Sequence, residues 1–251
     1  MDVMRAIETR FSCRAFEAKA IPDDVFAELE REVATVNAES GLHIQLYGPR
    51  ADGTSIDMSR KMFASNPPAY FAFVAQEGAE IEEKLGFYGE RLVLRAVQLG
   101  LGTCWVASTY DHASTRVDIS DGEKLHDVVP LGYAPAKQPL MQRTIRNRIR
   151  ARSKANRDLY RGPYSLEQAP QWIQAAIQAV QLAPSAVNEQ PVVFTQDSPD
   201  APVKAVFSHK RLPLVHTDMG IAKLHFQLAA AAHGVEGTWE WGEGGAFVVK
   251  A

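Results

Sequence analysis

Cysteine is scarce in this chain, with two among 251 residues, Cys13 and Cys104. Two cysteines are too few for a disulfide scaffold, and they form no CxxC or other metal-ligand spacing. The seven histidines are scattered, with no HxxxH or HExxH pair, so no metal site is expected. Long apolar runs are missing too. The longest, Ala69 to Ala75, is far short of the roughly 18 residues a membrane-spanning helix needs. The opening residues, MDVMRAIETRFSCR, carry charges throughout and lack the apolar core of a signal peptide. A reducing, cytoplasmic setting is therefore expected. Excess charge of one sign is also absent: the net charge is −3, which gives no global reason to expect nucleic acid or an anionic membrane as partner.

The apolar share of 46% and charged share of 23% are ordinary for a globular protein with a substantial core. Residues 21 to 37 open on Pro22, Asp23 and Asp24 and then place Val25, Phe26, Leu29 and Val33 on one stripe, which predicts a helix. His43 to Tyr47 alternates like a strand, and 48 to 53 reads as a loop. Pro68 to Ala75 predicts a central strand, and Gly86 to Leu99 a helix ended by Gly100 or Gly102. Further strands are expected at Cys104 to Ala107 and Val128 to Tyr133.

The pattern then recurs at an offset of 134 residues without a gap. Pro202 to Ser208 matches the strand that begins at Pro68; Gly220 to Ala232 matches the helix from Gly86; Gly234 and Trp239 match Gly100 and Trp105. A helix at 169 to 183 likewise resembles the one at 21 to 34. The alternative is that two α/β segments look alike without common origin. The duplication divides the chain into a first half, 1–135, a basic connecting segment, 136–164, and a shortened second half, 165–251. The stretch from Arg143 to Arg161 carries eight Lys or Arg, both ends included, and one acid, Asp158. That composition suits a solvated linker helix. A nucleic-acid surface would need interleaved aromatics and a globally basic chain.

Three segments carry possible chemistry. Arg10-Phe11-Ser12-Cys13-Arg14 places two arginines and a hydroxyl where they can converge on a phosphate, although the same string suits a surface turn. Cys13 within it reads as a small buried residue rather than a nucleophile, since no histidine is near in sequence. Ala183 to Pro191, APSAVNEQP, sits between a helix and the strand Val192 to Thr195. It suits either a close-approach ligand loop or a plain cap. The helix from Gly86 carries Gly89, Glu90 and Ala96, read as packing features, and leads through GLGTCW to Ser108 and Thr109.

Taken together, RFSCRAF, APSAVNEQP and GLGTCW resemble the R-x-S-x-R, P-S-x-x-N-x-Q-P and G-L-G-x-x-W motifs of the flavin-dependent nitroreductase family. The resemblance covers most of the chain. It implies an α/β (α+β) fold of mixed sheets flanked by helices, with two related halves forming an intramolecular pseudo-dimer. It also implies one FMN per chain in a seam between the halves, because each motif survives only once. The first-half counterpart of the Pro-Ser-Asn loop, Ala34 to Glu39, lacks proline and serine, and Asn156 to Tyr160 does not repeat R-x-S-x-R. By resemblance, Arg10, Phe11, Ser12 and Arg14 would hold the phosphate, and Pro184, Ser185, Ala186 and Asn188 the ring or ribityl chain. Ser108 and Thr109 would approach the flavin N5 edge. A basic residue after Gly132-Tyr133 is also implied, with Arg157 as candidate and Arg143 behind it. The implied activity is FMN-dependent oxidation of NAD(P)H with delivery to a nitro, quinone or related small acceptor, by a monomer, with no catalytic acid or base named. Flavin binding without turnover, and nucleic-acid or partner binding through 143–161, are the competing readings.

Overall fold

The computed structural model describes residues 1–250. The chain forms two compact units. The first comprises Met1–Asp2, Thr9–Glu77 and Arg91–Arg148; the second comprises Val3–Glu8, Gly78–Glu90 and the chain from Ile149 onward. The helices are α1 (Val3–Thr9), α2 (Asp23–Ser40), α3 (Ala79–Gln98), α4 (Leu140–Arg150), α5 (Gln171–Leu182) and α6 (Val215–Ala232). The strands are β1 (His43–Tyr47), β2 (Ala69–Gln76), β3 (Gly102–Thr103), β4 (Glu123–Gly132), β5 (Tyr160–Arg161), β6 (Val192–Thr195), β7 (Lys204–Phe207), β8 (Gly237–Trp239) and β9 (Phe247–Val249).

In the first unit an antiparallel sheet has the order β1-β2-β4-β3. Every residue of β2 except Gln76 is buried, as an unbroken apolar strand flanked by neighbours on both sides should be. Helix α2 begins at Pro22 with Asp23 and Asp24 in its first turn, where carboxylates favour the positive end of the helix dipole. It ends at Gly41, whose φ of 71° lets its N–H reach the Asn37 carbonyl at 2.9 Å. The Asn37 amide then brackets Ile44, accepting from its N–H at 2.9 Å and donating to its carbonyl at 2.8 Å, which fixes the start of β1. Arg95 and Arg91, near the end of α3, bind Glu28 and Glu32 of α2.

The expected strand from Cys104 to Ala107 does not form. Pairing with β4 covers only Gly102 and Thr103, and resumes at a single bridge between Val106 and Val128. The reason lies across the ladder. Val106 and Val128 exchange both hydrogen bonds, so the next bonded pair would be Cys104 with residue 130. Residue 130 is proline and has no N–H to give.

The second unit holds the sheet β5-β6-β7, with β5 parallel to β6, and the hairpin-like pair β8–β9. Helix α6 is buried along most of its length and includes Asp218, Lys223 and His225. The start of α3 packs on it through glycine. A Cβ at Gly86 would collide with the Thr217 carbonyl, and one at Gly220 would collide with the Glu83 carbonyl. Residues 220 and 217 lie 134 positions beyond 86 and 83, so the contact is reciprocal in the repeat offset. Gly100 and Gly234, related by the same offset, follow these two helices with left-handed φ of 86° and 80°.

A buried ion pair and a buried histidine–carboxyl hydrogen bond flank this helix crossing. Lys223 gives its ammonium protons to Glu83 and to the carbonyls of Glu240 and Gly242 at 2.9 and 3.1 Å. His225 faces the Ala179 carbonyl through Nδ1 and Glu90 through Nε2, both at 3.0 Å. Among the described residues no helix is long and apolar enough to cross a membrane.

Candidate functional site

The Arg10–Arg14 segment runs beside β3. Cys13 donates its N–H to the Thr103 carbonyl at 2.8 Å, and Ser12 bridges Thr103 in parallel. Cys13 is fully buried, its thiol donates to the Ala15 carbonyl at 3.1 Å, and burial pushes its pKa up to about 12. Such a thiol is a packing group at neutral pH, not a nucleophile.

A cavity of about 400 Å³ opens against this segment within the first unit. Its walls are Phe11 and Ser12, the stretch Ala136, Lys137 and Gln138, and the face of α4 that carries Gln142, Arg143, Arg146 and Asn147. None of the described residues that line it is acidic. The guanidinium of Arg146 lies 4.9 Å from the centroid of the Phe11 ring, a cation–π contact that ties α4 to the Arg10–Arg14 segment. Gln142 is 5% exposed and donates to the Met62 carbonyl at 3.1 Å, while its Oε1 is buried with no hydrogen-bond partner. A buried acceptor left this way costs free energy unless something supplies a donor. Three cations and a hydroxyl-bearing serine therefore line a space that suits an anionic ligand, with Gln142 among its walls.

Of the expected phosphate residues, Phe11 and Ser12 line this cavity, while Arg10 and Arg14 are half-buried and are not among its lining residues. Arg143, the second candidate from the linker, lines it. Arg157 is exposed on a short 3-10 turn, Asn156–Leu159, of the second unit. Ser108 is exposed on a bend, and the carbonyl of Thr109 accepts the Ser59 N–H at 2.9 Å, which joins this bend to the loop before Met62. That loop is latched by Asp57, which accepts from Arg50 at 2.8 Å and from Asn66 at 2.9 Å; the guanidinium of Arg50 holds the Asp57 carboxyl below the usual carboxylate range.

In the second unit, the Pro184–Gln190 loop contains Val187, Asn188 and Gln190 at φ of 46°, 59° and 46°. Among the described residues these are the only non-glycine residues with positive φ. Ser185 Oγ accepts the Gln190 N–H at 2.9 Å, and the Asn188 amide donates to the Ile149 carbonyl at 3.1 Å and to Ser153 Oγ at 3.0 Å. The Ala186 N–H donates to the carboxylate of Asp218 at 3.0 and 3.3 Å. The side chains of Ser185 and Asn188 thus shape the loop itself.

Lys137, Gln142 and Arg146 were not singled out from the sequence. The available signal was spacing: residues 142, 143, 146 and 147 share one helical face. Asp218 gave no signal, because its partner lies 32 positions away.

The sequence matches the family described as "Putative TM nitroreductase" over residues 2–230. A crystal structure of a "putative nitroreductase" from Thermotoga maritima MSB8 superposes with a TM-score of 0.63 at 20% identity, covering 99% of this chain and 93% of that one. This likeness establishes the nitroreductase-type α+β fold. A structure of a nitroreductase with bound FMN from Bacteroides fragilis NCTC 9343 matches at a TM-score of 0.42 and 17% identity, over 56% of this chain and 92% of that one. No curated protein matches the sequence.

Proposed function

Because the chain belongs to this nitroreductase family over residues 2–230, we propose that it is an FMN-dependent oxidoreductase that takes reducing equivalents from NAD(P)H and passes them to a small nitro, quinone or related acceptor. The observation that carries this reading is the acid-free cavity where Ser12 of the R-x-S-x-R segment meets Lys137, Arg143 and Arg146. A phosphomonoester carries about two negative charges at neutral pH, and forked guanidinium donors suit it better than any neutral group. The cavity volume lies in the range of small-molecule sites. Gln142 Oε1 would accept from a ribityl hydroxyl, which would satisfy an acceptor that the protein leaves orphaned.

Bound FMN supplies the hydride chemistry at its N5. The protein's part is binding and potential: Lys137, Arg143 and Arg146 hold the phosphate, and their charge raises affinity for the anionic end of the cofactor. The resemblance adds Arg10 and Arg14 to that set, assigns Pro184, Ser185, Ala186 and Asn188 to the flavin, and brings Ser108 and Thr109 to its N5 edge. Of the two linker arginines expected from the resemblance, we assign the phosphate role to Arg143 rather than Arg157, since Arg143 lines the cavity with Ser12; Arg157→Ala is the control that would reverse this choice.

The deciding experiment compares FMN with riboflavin by fluorescence titration of the apoprotein. FMN should bind at least ~100-fold more tightly, since charge-assisted bonds contribute about 1.5–3 kcal/mol each. Arg143→Ala and Lys137→Ala should shrink that preference while leaving riboflavin affinity nearly unchanged. Equal affinity for the two ligands would sink the phosphate assignment. Steady-state oxidation of NADPH or NADH with a quinone or nitroaromatic then tests turnover; bound flavin with no activity above free FMN would identify a binder.

A further inference from the structure

The Ser185–Gln190 turn holds the only three non-glycine residues with positive φ among those described. Val187 is the most costly of them, because a β-branched side chain crowds its own backbone in the left-handed region. It also gains nothing from burial, being 56% exposed. A conformation of this kind persists only when its surroundings over-determine it, and such strain gathers where a backbone must meet a ligand. The restraint here comes partly from outside the loop. Asp218, in the first turn of α6 and 5% exposed, accepts the Ala186 N–H at the residue just before Val187. A buried carboxylate bonded to a backbone amide is a stiff anchor, since releasing the amide leaves a buried charge short of a donor.

We propose that Asp218 is a positioning residue: it clamps the Ala186 N–H and so holds the Ser185–Gln190 turn in the strained conformation that receives the flavin. The proposal rests on the flavin reading above, and adds to it a residue that acts only through the loop.

The test uses the full chain as apoprotein, titrated with FMN by fluorescence quenching, with amide hydrogen exchange of residues 185–190 followed in parallel. Asp218→Ala should weaken FMN about tenfold, the equivalent of one lost charge-assisted bond, and speed exchange in the loop. Asp218→Asn keeps an oxygen for the amide and should stay close to wild type in both measurements. Adding Val187→Gly to Asp218→Ala should restore most of the affinity, because glycine adopts positive φ without an anchor. Asp218→Ser, too short to reach the amide, replaces Asp218→Ala should that variant not fold. A folded Asp218→Ala protein with wild-type FMN affinity, or no rescue by Val187→Gly, overturns the proposal. A wild-type protein that takes up no FMN is a different failure; it overturns the flavin reading and this proposal with it.

Discussion

Lys223 and Glu83 have no exposed side-chain surface, yet every donor of the ammonium has an acceptor. Burial pushes the Lys223 pKa down, and the carboxylate of Glu83 works against that push. Glu83 also accepts the Gly242 N–H at 2.8 Å, so the pair closes the turn after β8. Removing one partner should be far worse than removing both. Lys223→Met strands a buried carboxylate and should cost about 3–5 kcal/mol in urea unfolding, whereas Lys223→Met with Glu83→Gln should recover most of it. Equal losses in the single and double variants would show that the charges are not coupled. Cysteine gives a second residue-scale expectation. Cys13 is fully buried, with its pKa raised to about 12, and Cys104 is 2% exposed. Neither thiol should react with a disulfide reagent at pH 8 in the native protein, and two should react after denaturation. Rapid native labelling would mean that the Arg10–Arg14 segment opens readily.

Elements were legible in sequence where local chemistry and burial agreed. β1 and β6 fall on the residues their alternation and apolar runs predicted, and the unbroken β2 run is a central strand. The lost strand at Cys104 failed for a non-local reason, the proline across the ladder, which periodicity along one strand cannot reveal. Helix α4 was expected only as a solvated linker, because its polar composition hides the one buried face at Gln142. Where α3 meets α6, the glycines were legible as packing features but not as reciprocal partners. Gly86→Ala and Gly220→Ala should each abolish the folded state or lower Tm severely, since the added methyl meets backbone that cannot rotate away. Gly41→Ala, with open space around its Cβ but a φ of 71°, should cost only about 1 kcal/mol. The loop latched by Asp57 has its own pH dependence. Its folded-state pKa is depressed, so the stabilisation is present above the ordinary carboxylate value near ~3.9 and is lost as pH falls through the lower folded value. Exchange of amides 50–66 should be flat from neutral pH down to about 4, after normalisation for intrinsic rates, and accelerate below it. Asp57→Asn should remove that step.

At the scale of the whole molecule, the question is how many cofactors one chain takes. The repeat offset of 134 residues relates Gly86 to Gly220, Glu83 to Thr217 and Gly100 to Gly234, and the reciprocal carbonyl contacts at the two helix glycines support reading the chain as a duplication. Duplication alone would allow two equivalent sites. The sequence argues against two, because each motif occurs only once. R-x-S-x-R occurs at Arg10–Arg14 and its second-half counterpart, Asn156 to Tyr160, offers one arginine and no serine. The Pro-Ser-Asn loop occurs at 184–188, while Ala34 to Glu39 continues helix α2 to Ser40 and forms no such loop. The first difference removes a hydroxyl and a cation from one phosphate position; the second removes the left-handed turn altogether. We therefore expect one FMN per chain and a monomer in solution. Flavin absorbance set against protein concentration, with native mass spectrometry as a check on assembly, should give a ratio near one on a single chain. A ratio of two would mean that the diverged segments still bind. A ratio of one that appears only in a dimer of chains would place the missing partner residues on a second copy, and would remove the stoichiometric meaning of the single surviving motifs.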